Sequence, residues 1–152
     1  MFYDFITNSV LWIPVCAWLT AQLIKVFVGL IREKRLDLRY FVFGGGMPSS
    51  HSATVSALAT AVAMTQGFGS AAFAITAIVA MVVMYDAAGV RRAVSRQSVV
   101  LNRIIKELVE KRPREEIGRD LREFIGHTPF QVIIGAILGI FIAWLWLTVS
   151  PR

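Results

Sequence analysis

The chain has 152 residues, of which 56% are hydrophobic, with a mean hydropathy of +0.62 and a formal charge of +6. That length holds one domain, 1–152, and apolar content gathered in long runs excludes an ordinary soluble protein in favour of a membrane protein. The same content excludes a nucleic-acid binder despite the basic charge, and a single cysteine, Cys16, excludes an intramolecular disulfide or a cysteine-based metal cluster.

In chain order, the pattern predicts an all-α integral membrane bundle of four transmembrane helices. Met1-Phe2-Tyr3-Asp4 lacks the basic start of a cleavable signal, so the first helix, about Ser9 to Ile31, is expected to stay. A second apolar stretch runs from about Ser50 to Gln66, a third from about Ser70 to Ala88 and a fourth from about Pro129 to Val149. The second is short for a hydrocarbon core of ~30 Å, because ~17 residues rise roughly 25 Å. Such a helix is expected to begin below the membrane surface, in a protein-lined cleft.

Charge placement sets the expected topology. All 16 basic residues except Lys25 and Arg152 fall in two segments, 32–46 and 87–127. The turn Gln66-Gly67-Phe68-Gly69 between the second and third helices is tight and uncharged. The positive-inside rule then makes both basic segments cytoplasmic and both termini external. Between the third and fourth helices, about 92–126, Leu101, Ile104, Ile105 and Leu108 recur at helical spacing among charged residues, and Ile117, Leu121 and Phe124 continue the pattern beyond Pro113. This predicts a cytoplasmic amphipathic helical insertion. So thin a bundle leaves room for a homodimer.

Four places along the chain combine polar residues with apolar helices. Lys25 lies deep in the first helix, and Arg32 follows seven residues later on the same face. Lys25 either snorkels to the headgroups or joins Arg32 as a pair of cations facing a polar cavity. Gly44-Gly45-Gly46-Met47-Pro48-Ser49-Ser50-His51 opens the second helix, with Ser49 or Ser50 as N-cap and one of the chain's two histidines in the first turn. Tyr85-Asp86-Ala87-Ala88-Gly89-Val90-Arg91-Arg92 ends the third helix, where Asp86 calls for a cationic partner and Arg91 reads either as a stop-transfer charge or as a phosphate fork. Gly126-His127-Thr128-Pro129-Phe130-Gln131 opens the fourth. Thr128 suits an N-cap, Pro129 the first helical position, and Gln131 the third residue of a capping box. Helix N-termini attract anions through unpaired N–H groups and the macrodipole, so two such ends with histidines point to a phosphate site.

Together these stretches resemble the phosphatidic acid phosphatase type 2 superfamily, to which the vanadium haloperoxidases also belong, and most closely its small divergent membrane branch. Lys25 and Arg32 match the first motif, with Glu33 where proline is usual, and Pro48-Ser49-Ser50-His51 matches Pro-Ser-Gly-His. In the third motif the histidine is His127, and Gln131 stands where an aspartate is expected. The arginine of that motif matches Arg91, with Arg96 as competitor, across the intervening 92–126 insertion.

The resemblance implies metal-free hydrolysis of a lipid phosphate monoester or pyrophosphate at the cytoplasmic face, without a cofactor. Lys25, Arg32 and Arg91, with the backbone N–H groups of Ser49 and Ser50, would hold the phosphoryl oxygens. His127 would be the nucleophile and His51 the acid, then the base, supported by Gln131 or by Asp86. Histidine titrates near ~6.5, so one neutral and one protonated imidazole coexist near neutrality and a bell-shaped pH–rate profile is expected. Gln131 can hold a tautomer but cannot stabilise an imidazolium by charge. The alternative is therefore a catalytically decayed membrane protein that binds anionic lipid phosphates or scaffolds a partner.

Overall fold

The computed structural model describes residues 2–34, 46–89, 97, 100–101 and 128–150. The 92–126 insertion lies outside these residues except for helical Gln97, Val100 and Leu101. Among the described residues the secondary structure is all helical. A short helix α1 (Phe2–Ile6) precedes α2 (Ser9–Glu33), α3 (Ser50–Gln66), α4 (Ala71–Ala88) and α5 (Pro129–Val149).

Each long helix starts where a side chain can take up an orphan backbone N–H. Asn8 accepts from Leu11 N, Ser49 from Ser52 N, Ser70 from Phe73 N and Thr128 from Gln131 N. Of the two serines that suit the start of α3, Ser49 is the cap. The turn from α3 to α4 is made by Gly67 at φ 86°, a left-handed conformation that glycine adopts without steric cost.

The core is built from small residues rather than large ones. Every fourth residue of α2 from Ile13 to Gly29 is buried, namely Ile13, Ala17, Ala21, Lys25 and Gly29, so this face turns inward along five positions. It meets Ala53, Ala57 and Ala61 of α3 and Ala143 of α5 in one cluster. α3 is the central helix, packed on α2, α4 and α5, whereas α4 packs mainly on α3.

The α3–α5 contact is the closest. A Cβ on Gly135 would run into the Ser49 carbonyl and come within 3.1 Å of Ser52 Cβ. One on Gly139 would strike the Ala53 carbonyl and Ser56 Oγ. The glycines let the backbones approach until Ser56 Oγ donates across the interface to the Ala136 carbonyl at 3.0 Å.

Among the described residues, three helices are long and apolar enough to cross a membrane: Ser9–Ile31, Ala71–Ala88 and Pro129–Val149. Their outward faces carry large apolar side chains such as Phe27, Ile75, Val82, Ile137 and Phe141, which suits lipid rather than water. With 17 residues, α3 falls short of that length, and its inner face is polar or small: Ser50, Ser52, Ala53, Ser56 and Ala57 are all buried.

Candidate functional site

The topology collects the motif-bearing helix ends at one pole. Lys25, late in α2, touches Ser50 at the start of α3, so these helices run antiparallel. α4 returns after a tight turn, which brings Asp86 in its last turn back to the same end. α5 starts beside the start of α3 and runs parallel to it: the Ser49 N–H donates to the Gln131 carbonyl at 3.1 Å, and farther along Ser56 meets Ala136.

Lys25 is the centre of what is described at this pole. It is 2% exposed, which separates the two readings of the sequence: the side chain turns into the bundle. Its Nζ donates to Ser50 Oγ at 3.1 Å and to Gln22 Oε1 at 2.9 Å. Both acceptors are neutral, an amide and a hydroxyl. The stem lies under Gly46, where a Cβ would sit 3.8 Å from Lys25 Cγ and where φ of +93° favours glycine.

Neighbouring Ser49 has a different task. It is fully buried, its hydroxyl caps α3, and it accepts a second bond from Ser52 Oγ at 3.0 Å. Its N–H, expected to face a phosphate, is already bonded to Gln131. Ser49 therefore fastens α3 to α5, while the Ser50 side chain meets the lysine.

His51 follows in the first turn of α3, half-buried, with its Nδ1 atom inside the protein. Asp86 is half-buried at the end of α4. Gln131 is half-buried and completes a capping box: its Oε1 accepts from Thr128 N at 3.0 Å while Thr128 Oγ1 accepts from Gln131 N at 3.3 Å. Arg32 lies on α2 two turns beyond Lys25, but its side chain lies outside what is described, as do Arg91, Arg96 and His127. Gln22 matches none of the motifs. The signal that could have found it is its spacing, one turn before Lys25 on the same face.

Across residues 6–142 the sequence matches the model of the Divergent PAP2 family, a span that takes in every candidate residue from Lys25 to Gln131. The chain belongs to the divergent PAP2 family. This divergent PAP2 protein is also 37% identical over 148 residues to the uncharacterized membrane protein YuiD of Bacillus subtilis (strain 168), covering 91% of this chain and 94% of that one. No solved structure matches it. The family, the membrane-protein relative and the three long apolar helices agree on a membrane-integral protein.

Proposed function

We propose that this divergent PAP2 protein is a membrane-integral phosphatase that hydrolyses a lipid phosphate monoester or pyrophosphate at the cytoplasmic face. One observation carries the reading: the Lys25 ammonium, buried in a membrane-spanning helix, meets the Pro48–His51 segment through Ser50, and its two hydrogen-bond acceptors among the described residues are both neutral. A buried cation is costly in a membrane span, and a phosphate group is the anion that would offset that cost. Family membership and the gathering of the described helix ends at one pole support the same reading.

In this reading α3 is the fourth spanning helix and enters from a cleft lined by α2 and α5. Both basic segments face the cytoplasm and both termini the outside. Lys25, Arg32 and Arg91 hold the non-bridging phosphoryl oxygens, with the Ser50 hydroxyl beside them. His127 attacks phosphorus as the bond to the leaving oxygen breaks, and His51 gives that oxygen its proton. Water then attacks the phosphohistidine, His51 takes up the water's proton, and phosphate leaves. Among the chain's own groups, the cations do most of the work by stabilising charge on the transferring group.

A second reading has one specific observation in its favour. Gln131 stands at the aspartate position of the third motif, and its side-chain oxygen, Oε1, already serves the Thr128 cap. A site so altered would bind a lipid phosphate without turning it over. The test is phosphate release from several lipid phosphates by the purified protein in detergent. Hydrolysis abolished by His127→Ala supports the enzyme, and binding without release supports the second reading.

A further inference from the structure

Of the two side chains that accept from Lys25 among the described residues, the nearer comes from outside the motifs. Gln22 is 3% exposed and lies in the apolar body of α2. A buried amide in such a helix is expensive unless its polar atoms are bonded. Its Oε1 accepts from Lys25 Nζ at 2.9 Å, shorter than the 3.1 Å bond from the same Nζ to Ser50 Oγ. A lysine ammonium has three N–H donors, and these bonds use two. A lysine side chain is otherwise free about four bonds, so a free Lys25 would lose that freedom when a ligand arrives.

We infer that Gln22 is a positioning residue: it pins the Lys25 ammonium against Ser50 and leaves the third N–H for an anionic phosphate oxygen. The inference rests on the phosphate-site reading of this pole and adds the part that prepares it. Gln22 supplies an acceptor without a charge. A carboxylate there would hold the ammonium equally well but would compete with the phosphate for its charge. An apolar residue would leave both the charge and the site without a fixed geometry.

The test uses the full-length protein in nanodiscs and reads acylation of Lys25 by mass spectrometry, with exposed Lys34 as internal standard. Protection of Lys25 by inorganic phosphate gives the binding affinity. Gln22→Leu is expected to raise the Lys25 acylation rate about tenfold and to weaken phosphate protection about tenfold, the scale of one hydrogen bond to a charged group. Gln22→Glu is expected to keep the slow acylation of the wild type and still lose phosphate affinity.

Unchanged acylation and protection in Gln22→Leu would overturn the assignment. So would full phosphate affinity in Gln22→Glu, which keeps side-chain volume and an acceptor and so decides the matter even where the leucine variant fails to fold. If phosphate never protects wild-type Lys25, the phosphate site itself falls, whereas the acylation rates still report whether Gln22 holds the lysine.

Discussion

The amide hydrogen of Ser49 is bonded to the main-chain carbonyl of Gln131 at 3.1 Å. This single bond joins the start of α3 to the start of α5, two segments 82 positions apart in the chain. It places Ser49 of the second motif beside Gln131 of the third without using the side chain of either. It also divides the work of two adjacent serines, because the residue that makes it is fully buried and caps the helix, while the next one faces Lys25.

That division predicts opposite outcomes for two alanine substitutions. Ser49→Ala removes the N-cap and a hydroxyl bonded to Ser52, and is expected to cost about 0.5–2 kcal/mol of stability. Ser50→Ala leaves the cap intact and is expected to change stability little, but to weaken phosphate binding several-fold by freeing Lys25. Thermal unfolding in detergent and phosphate titration of both variants check this.

The glycines of α5 give a second prediction. In Gly135→Ala the new methyl group meets the Ser49 carbonyl and the Ser52 side chain, both on a packed helix. The helices must part, at a cost of about 1–3 kcal/mol, and the Ser49–Gln131 bond is expected to lengthen with them. Gly69→Ala is the control, since nothing lies within 4 Å of the added carbon. A lowered unfolding temperature in the first variant only, with phosphate affinity falling alongside it, is the expected result.

Much of the fold was legible because each apolar run ends at a chemically distinct cap. Ser49, Ser70, Thr128 and Gly67 stand at the helix boundaries in the sequence and in the structure alike. The short α1, only five residues long, carries no periodic signal. Lys25 could not be settled from its depth alone, since snorkelling and burial both fit a lysine deep in an apolar helix. The deciding signal was the four-residue rhythm of Ile13, Ala17, Ala21, Lys25 and Gly29, a stripe hidden within a uniformly apolar run. The choice between Ser49 and Ser50 was not legible, because either can cap a helix and only their contacts, Ser49 Oγ with Ser52 N and Ser50 Oγ with Lys25, distinguish them.

Gln131 shows the same limit in another form. Its capping-box role follows from Thr128-Pro129-Phe130-Gln131, and the box is made. Its place in the third motif follows from its distance to His127. One side chain cannot be apportioned between those roles by spacing. Gln131→Glu keeps an N3 acceptor and adds charge near the helix N-terminus, so it is expected to preserve stability. Gln131→Ala is expected to cost about 1 kcal/mol, as loss of a helix-end hydrogen bond does. In the enzyme reading Gln131→Asp keeps or raises turnover; a large fall in turnover together with a loss of folded protein would assign the residue to the cap.

Lys25→Met separates folding from chemistry at the buried cation. Methionine has similar volume and no charge to desolvate, and replacing a buried ion with an apolar side chain is commonly neutral or stabilising. The buried Gln22 Oε1 and Ser50 Oγ lose this donor, which offsets part of that gain, at about 1–3 kcal/mol for each group left unsatisfied. The expected result is a folded, monodisperse protein that no longer binds phosphate. Loss of folded protein instead would mean that the lysine is held for the bundle's sake.

The most direct measurement of the central claim is phosphate release from phosphatidylglycerol phosphate, phosphatidate and an isoprenyl pyrophosphate by the purified wild type, Lys25→Met, His51→Ala and His127→Ala. Wild-type release from at least one substrate is predicted, with losses on the order of 100-fold or more in each variant, as expected for removing an acid, a nucleophile or a charge-stabilising cation. Release that survives Lys25→Met and His127→Ala, or no release and no phosphate binding by the wild type, would contradict it.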